Sequence, residues 1–263
     1  MTVLKSAMPE FKPGTVWLVG AGPGDPGLLT LLAAHALQSA DVVVYDALVS
    51  DKVLALVRPQ AELIFAGKRG GKPSASQPDI TRQIIAQARA GCRVTRLKGG
   101  DPLIFGRGGE EALALGAAGI GFRIVPGITA GVGGLAYAGI PATHRSINSA
   151  VTFLTGHDAR GLPPDGVDWQ AIARGSPVIV LYMALKFLGE ITGNLIKAGR
   201  APDEPVALVA NATLEDQHVV TTTLAYAARD ASQAGIAPPA IVVVGKVVDL
   251  RRHLDWFAAG RGE

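Results

Sequence analysis

The stretch VWLVGAGPGDPG, residues 16–27, places a short apolar run directly before a loop rich in glycine. An apolar run without polar alternation is typical of a strand that is buried on both faces. Glycines after such a strand let the backbone approach a ligand closely, and a helix predicted over residues 28–39 adds free N–H donors. The stretch therefore predicts one strand–loop–helix unit of an α/β fold.

The same alternation continues to about residue 125. Apolar runs predict strands at residues 16–20, 42–45, 63–65, 94–97 and 122–125. The stretches between them predict helices at residues 28–39, 78–90 and 110–118. Alternating strands and helices imply a largely parallel sheet with right-handed crossovers.

A second series of short strands follows the Gly-Ile-Pro segment at residues 139–141. The predicted strands lie at residues 150–155, 177–182, 206–209, 219–222 and 241–244, with helices near 186–198 and 223–234. Because no internal repeat is visible, we expect two different α/β domains with the ligand in a cleft between them. The expected limits are an N-terminal extension at 1–14, a first domain at 15–143 and a second domain at 144–263.

The composition excludes several classes of protein. With 48% hydrophobic and 18% charged residues among 263, the chain does not belong to the intrinsically disordered class. The single cysteine, Cys92, excludes an internal disulfide and a cysteine-pair zinc site. Neither a signal peptide nor an apolar run of membrane-spanning length is visible. We therefore expect a cytoplasmic protein without a membrane partner.

Basic residues concentrate in the first half of the chain. Residues 1–130 carry 14 Lys and Arg against 10 Asp and Glu, whereas residues 131–263 carry 11 against 12. A nucleic-acid interface would need stacking aromatics or a basic helix, and neither is visible. A concave pocket lined by basic side chains that binds a polyanionic small molecule would also explain this excess of positive charge. The alternative is a basic face that is exposed to solvent and binds no ligand.

Two further glycine-rich segments follow predicted strands: LKGGDPLIFGRGGEE at residues 97–111 and VPGITA at residues 125–130. The carboxyl ends of parallel strands lie at one edge of a sheet, where α/β proteins bind their ligands. We therefore expect the three glycine-rich loops to converge, although each alone could serve only as a turn.

The first loop also fits a dinucleotide-binding pattern. Gly22, Gly24 and Gly27 satisfy GxGxxG, and Asp46 lies about 20 residues farther on, where such enzymes bind ribose. Pro23 and Pro26 remove two N–H donors that a pyrophosphate would use. A nicotinamide-dependent oxidoreductase and a basic nucleic-acid-binding protein are therefore the alternatives from other functional classes.

Together with PPAIVVVG at residues 238–245, these loops strongly resemble the tetrapyrrole methylase family. The similarity runs from about Thr15 to Trp256 and includes residues 42–48, 66–69, 140–145, 155–157 and 181–183. The resemblance implies methyl transfer from S-adenosyl-L-methionine to a small-molecule tetrapyrrole, with S-adenosyl-L-homocysteine as product. It also implies a homodimer and a stand-alone methyltransferase, not one fused to a dehydrogenase or chelatase segment.

The resemblance assigns residues to the cofactor and to proton transfer. The implied cofactor-binding residues are Pro23, Gly99, Gly100, Asp101, Ile104, Thr129, Ala130, Met183 and Ala212. Some relatives carry Gly where this chain has Ala212, and a methyl group there keeps a ligand farther from the backbone. Asp46 is the implied proton acceptor and Lys68 the implied proton donor. Without the resemblance, we would interpret Asp46 as a hydrogen-bonding carboxylate at a strand end and Lys68 as a solvated charge in a turn.

Basic side chains near the motifs are candidates for holding substrate carboxylates, since Arg captures a carboxylate through two hydrogen bonds. These candidates are Arg69, Lys98, Arg107, His144 and Arg145. Each could instead form a surface or interdomain ion pair. The five histidines show no helical metal spacing, so we expect no metal.

Overall fold

A five-stranded parallel sheet organises the first part of the chain in the computed structural model, which describes residues 8–67, 77–158 and 161–259. Its strands are β1 (Val16–Gly20), β2 (Val42–Tyr45), β3 (Glu62–Phe65), β4 (Val94–Lys98) and β5 (Phe122–Val125). Their order across the sheet is β3-β2-β4-β1-β5, and every neighbouring pair is parallel. The predicted strands and the parallel sheet are confirmed.

Helices cover both faces of this sheet because its strands alternate apolar side chains between the two faces. The helices are α1 (Leu31–Ser39), α2 (Asp51–Leu54), α3 (Gln77–Arg89) and α4 (Gly108–Ala117). Trp17 and Val19 pack with Leu37 of α1 on one face. Leu18 packs with Ile84 of α3 on the other.

The first long helix begins later than predicted. A short 3₁₀ helix, Pro26–Leu28, follows the glycine-rich loop, and α1 starts only at Leu31. The hydroxyl of Thr30 accepts a hydrogen bond from the Ala33 N–H (3.1 Å), which makes Thr30 the N-cap. The glycine-rich loop therefore does not lead directly into the N-terminus of α1.

The second sheet is mixed, with strands β6 (Thr152–Thr155), β7 (Ile179–Tyr182), β8 (Pro205–Ala210), β9 (His218–Thr223) and β10 (Ala240–Val244). The order is β6-β7-β10-β8-β9; only β6 and β7 are parallel among the described strands of this sheet. The short connection from β8 to β9 makes them an antiparallel pair. The expected α/β class with two different sheets is thus confirmed.

The helices of this part are α5 (Ala130–Tyr137), α6 (Trp169–Gly175), α7 (Leu188–Lys197), α8 (Ala227–Gln233), α9 (Arg251–Leu254) and α10 (Trp256–Ala259). Helices α7 and α8 contribute to the core on one face of the sheet, for example through Leu188 and Ala227. Helix α8 starts later than predicted because Thr223 is still paired with Pro205 in the β8–β9 ladder.

The chain divides into two compact units, Met1–Thr129 and Ala130–Glu263. Helix α5 belongs to the second unit: the Gly131 N–H donates to the Tyr182 hydroxyl (2.8 Å). A Cβ on Gly134 would lie 3.1 Å from the Ile241 side chain, so α5 lies close against β10. The domain limits expected at residues 143 and 144 stay a prediction. No helix within the described ranges has both the length and the hydropathy needed to span a bilayer.

Candidate functional site

Three glycine-rich loops meet at the carboxyl edge of the first sheet, because β4, β1 and β5 are neighbours. A Cβ on Gly127 would lie 2.2 Å from the carbonyl oxygen of Gly100. A Cβ on Gly20 would lie 2.5 Å from the backbone nitrogen of Gly127. These glycines are required because three backbones come into direct contact, and the expected convergence of the loops is confirmed.

Hydrogen bonds tie the three loops together. Gly22 and Gly100 exchange backbone hydrogen bonds of 3.1 and 2.7 Å. The carboxylate of Asp101 accepts from the N–H groups of Leu103 (2.8 Å) and Gly127 (3.0 Å). Asp101 therefore orders the second loop and joins it to the third, so it shapes this edge whether or not it contacts a ligand.

The strand order disagrees with the dinucleotide-binding alternative. Strand β4 lies between β1 and β2, so Asp46, directly after β2, is two strand spacings, roughly 10 Å, from the end of β1. In a dinucleotide-binding fold the corresponding two strands are adjacent. Since α1 also starts only at Leu31, the first loop lacks the helix N-terminus that would bind a pyrophosphate.

Asp46, the expected proton acceptor, lies at the border of a buried cluster of charges. Its side chain is 29% exposed. One carboxylate oxygen accepts from Arg96 Nη2 at 2.5 Å, and the other lies 3.5 Å from Lys98 Nζ. Two cations thus hold a carboxylate that is still accessible from solvent.

Glu111 of α4 lies on the other side of the same cations. Its carboxylate accepts from Arg96 Nε at 3.0 Å, lies 3.3 Å from Lys98 Nζ, and accepts from Gln77 Nε2 at 2.7 Å. Arg96 and Glu111 are each 1% exposed. Neither residue is among the site residues predicted from the sequence. Arg96 within a strand predicted to be buried was the available signal, because a buried cation needs a buried anion.

Lys98, which we predict to bind a substrate carboxylate, is buried among other charged side chains. The residue is 3% exposed, and its ammonium faces Asp46 and Glu111. A direct bond to a substrate carboxylate would break these buried ion pairs, which is costly. The geometry therefore favours an indirect role for Lys98, exerted through Asp46.

Arg107 is exposed, as a substrate-binding arginine would be. It adopts a left-handed backbone conformation (φ 59°), and its guanidinium donates to the Glu110 carboxylate at 2.6 and 3.0 Å. The hydrogen bond to Glu110 raises the pKa of Arg107, and the same bond lowers the pKa of Glu110. Both groups are therefore charged, and the pair lies on the surface of the second loop.

His144 and Arg145 are exposed on a loop of the second unit that Asn148 organises. The buried Asn148 side chain accepts from the His144 N–H (2.8 Å) and donates to the carbonyl oxygens of Ala142 (2.9 Å) and Ala150 (3.1 Å). This amide fixes the loop backbone and so presents both basic side chains to solvent.

The remaining expected residues follow strand ends. In the first unit, Pro23, Gly99 and Ile104 are half-buried, and Thr129 is buried. In the second unit, Ala130 begins α5, and Met183 follows β7 with a left-handed φ of 54° and 43% exposure. Ala212, two residues after the end of β8, is buried. The other two expected residues, Lys68 and Arg69, lie outside the described residues. Within the described part of the chain, no cluster of potential metal ligands occurs.

The sequence matches the family model of tetrapyrrole (corrin/porphyrin) methylases over residues 15–228. The chain therefore belongs to the tetrapyrrole methylase family and is a methyltransferase, as the resemblance implied. A uroporphyrinogen-III C-methyltransferase from Sinorhizobium sp is 65% identical over 97% of this chain and 91% of its own length.

Two further relatives extend the comparison. A siroheme synthase from Sodalis glossinidius is 51% identical over 93% of this chain, which spans about half (51%) of that relative. The solved uroporphyrin-III C-methyl transferase from Thermus thermophilus, complexed with S-adenyl homocysteine, is 38% identical with a TM-score of 0.78. That match covers 90% of this chain and 99% of the solved one, and it confirms the expected fold class.

Proposed function

We propose that this protein methylates uroporphyrinogen III on rings A and B, giving precorrin-2 through precorrin-1 for sirohaem and cobalamin biosynthesis. The observation that carries the proposal is the 65% identity to a uroporphyrinogen-III C-methyltransferase over nearly the whole of both chains. A methylase acting on a later corrin precursor is the nearest alternative within the family. The longer siroheme synthases support the same substrate class.

The methyl donor is S-adenosyl-L-methionine, in keeping with the S-adenyl homocysteine, the demethylated cofactor, bound to the Thermus thermophilus relative. When bound, this cofactor supplies a methyl group on a positively charged sulfur, and the sulfur leaves as a neutral thioether. The joined loops around Gly100, Asp101 and Gly127 suit such a ligand because they present backbone polar groups on a rigid edge. The assignments of Pro23, Gly99, Ile104, Thr129, Ala130, Met183 and Ala212 to cofactor binding rest on the resemblance.

The chain's own residues would position the substrate and move a proton. A nucleophilic pyrrole carbon forms the new carbon–carbon bond as the sulfur–methyl bond breaks, and a proton then leaves the methylated ring system. Asp46 is the proposed acceptor of that proton: it is accessible, and Arg96 and Lys98 orient its carboxylate. Lys68 is the proposed donor of a proton to another carbon of the macrocycle. Because the net reaction releases one proton, that donation is matched by a second proton lost from the macrocycle to solvent.

Carboxylates of the substrate are proposed to meet exposed basic side chains. Arg107 of the second loop and Arg145 of the Asn148-organised loop are accessible, and His144 lies beside Arg145. Arg69, which lies outside the described residues, is proposed from the sequence alone. The basic balance of the first half of the chain favours a polyanionic ligand in general. The protein is also proposed to be cytoplasmic and to form a homodimer. Light scattering would measure the mass of the assembly and so test the homodimer.

The test is anaerobic incubation with uroporphyrinogen III and methyl-labelled S-adenosylmethionine, followed by mass analysis of the tetrapyrrole. We expect the gain of two labelled methyl groups. Asp46→Asn should lower turnover by about a hundredfold or more while binding S-adenosylhomocysteine as the wild type does. Tight S-adenosylhomocysteine binding without transfer would reject the substrate in favour of a later precursor. Binding of NAD instead would reject the methyl donor itself.

A further inference from the structure

We propose that Glu111 is a positioning residue for methyl transfer: its carboxylate pairs with Arg96 and Lys98, so that both cations hold Asp46 in its reactive orientation. The inference rests on the proposed function, because it assigns Glu111 a part in the proton transfer attributed to Asp46. Glu111 itself is buried and acts only through the two basic side chains.

Arg96 is the rigid link between the two carboxylates. Its Nε donates to Glu111 at 3.0 Å, and its Nη2 donates to Asp46 at 2.5 Å. The remaining nitrogen, Nη1, donates to the carbonyl oxygens of Val44 (3.3 Å) and Leu97 (3.4 Å). Because the guanidinium is planar and each of its nitrogens has a partner, the position of Glu111 determines where Nη2 points.

Lys98 provides a second link on the same face of β4. Its Nζ lies 3.3 Å from Glu111 and 3.5 Å from Asp46. An ammonium has no fixed plane, so its place is set by the charges around it. Without Glu111, the described part of the chain would leave Asp46 as the carboxylate paired with both buried cations. They would then shift towards Asp46 and change its orientation.

A second charge cluster lies at the opposite ends of the same two strands, β2 and β4, away from Asp46. Asp41, directly before β2, pairs with Arg58 (2.5 Å) and with Arg93 (2.7 Å), which directly precedes β4. This cluster also joins distant parts of the chain through a carboxylate between two cations. It provides a matched control for the general effect of removing a charge from the sheet.

The experiment compares three variants of the full chain with the wild type. Glu111→Gln keeps the size of the side chain and removes its charge, whereas Glu111→Asp keeps the charge and shortens the side chain by one carbon. Asp41→Asn is the control. For each variant, kcat and KM are measured with uroporphyrinogen III, the Kd for S-adenosylhomocysteine by calorimetry, and the unfolding midpoint in urea.

We expect Glu111→Gln to lower kcat by about tenfold to a hundredfold, with KM and the Kd within about threefold of the wild type. Glu111→Asp should retain more of kcat than Glu111→Gln. Asp41→Asn should lower the unfolding midpoint and leave kcat within about twofold. A loss confined to kcat distinguishes the alignment of Asp46 from a loss of packing.

Three results would overturn the role of Glu111: a kcat for Glu111→Gln within about twofold of the wild type, a raised KM with unchanged kcat, or an equal loss of kcat in Asp41→Asn. If Glu111→Gln does not fold, Lys98→Met/Glu111→Gln removes one buried cation with the anion. Lys98→Met alone is then the reference. A double variant with the kcat of Lys98→Met would equally overturn the role, whereas a further loss confined to kcat would support it. A wild-type chain that transfers no methyl group would instead overturn the proposed function.

Discussion

Replacing Gly127 by Ala should disturb the edge of the first sheet where the three loops meet. The added Cβ would lie 2.2 Å from the Gly100 carbonyl oxygen and 2.7 Å from the Gly20 Cα. Ordinary contact begins near 3.4 Å, so the backbones must separate by roughly 1.2 Å, and backbone atoms cannot rotate away as side chains can. The hydrogen bond from the Gly127 N–H to Asp101 would be strained by the same displacement.

Over-packing of this kind costs about 2–3 kcal/mol of the free energy of unfolding, the upper part of the usual range, because the clash is between backbones. For a chain of this length that corresponds to a fall in Tm of about 5–10 °C. We also expect the Kd for S-adenosylhomocysteine to rise by about tenfold or more, since displaced loops no longer match the ligand. Thermal unfolding and calorimetry measure the two effects.

Gly116→Ala is the matched control, because it makes the same chemical change in α4 of the same unit. Its Cβ would meet only the Phe122 ring, at an ordinary 3.9 Å. Ala in place of an exposed helical Gly should raise stability by about 0.5–1 kcal/mol and leave the Kd unchanged. A Gly127→Ala variant with the Tm and the S-adenosylhomocysteine Kd of the wild type would show that close contact of these backbones does not constrain the edge.

Two further predictions concern charge and loop order. The hydrogen bond from the Arg93 side chain holds the pKa of Asp41 well below its usual value of 3.8, so its stabilisation is present at neutral pH and lost as the pH falls below about 4. The stability gap between the wild type and Asp41→Asn, about 1 kcal/mol at pH 7 because the pair is partly exposed, should therefore narrow steadily in urea titrations as the pH falls below about 4; a gap independent of pH would contradict this. Asn148→Ala should raise KM for uroporphyrinogen III by about fivefold through disorder of the loop that presents Arg145, while the Kd for S-adenosylhomocysteine stays the same. An unchanged KM would exclude that loop from substrate binding.

The error at the first helix shows where local signals compete. Glycine and proline in residues 20–27 suggested a helix starting near residue 28, yet the Thr30 cap moved its start to Leu31. For Lys98, the sequence leaves two roles open. A basic residue at the end of a strand suits a ligand site and a buried ion pair equally well, and only its neighbours decide between the two.

Local sequence signals are enough to predict the strands of both sheets, the loops after β1, β4 and β5, and the family, because apolar runs and glycine clusters lie within short segments of the chain. Packing of the folded chain is needed to place β4 between β1 and β2 and to make the pairs β10–β8 and β8–β9 antiparallel. Strand order depends on hydrogen bonds between segments far apart in the chain, and no local pattern encodes it. That order brings Arg96 to Asp46, 50 residues earlier, and Glu111 to both cations. The charge cluster around the proposed proton acceptor is therefore a product of the fold.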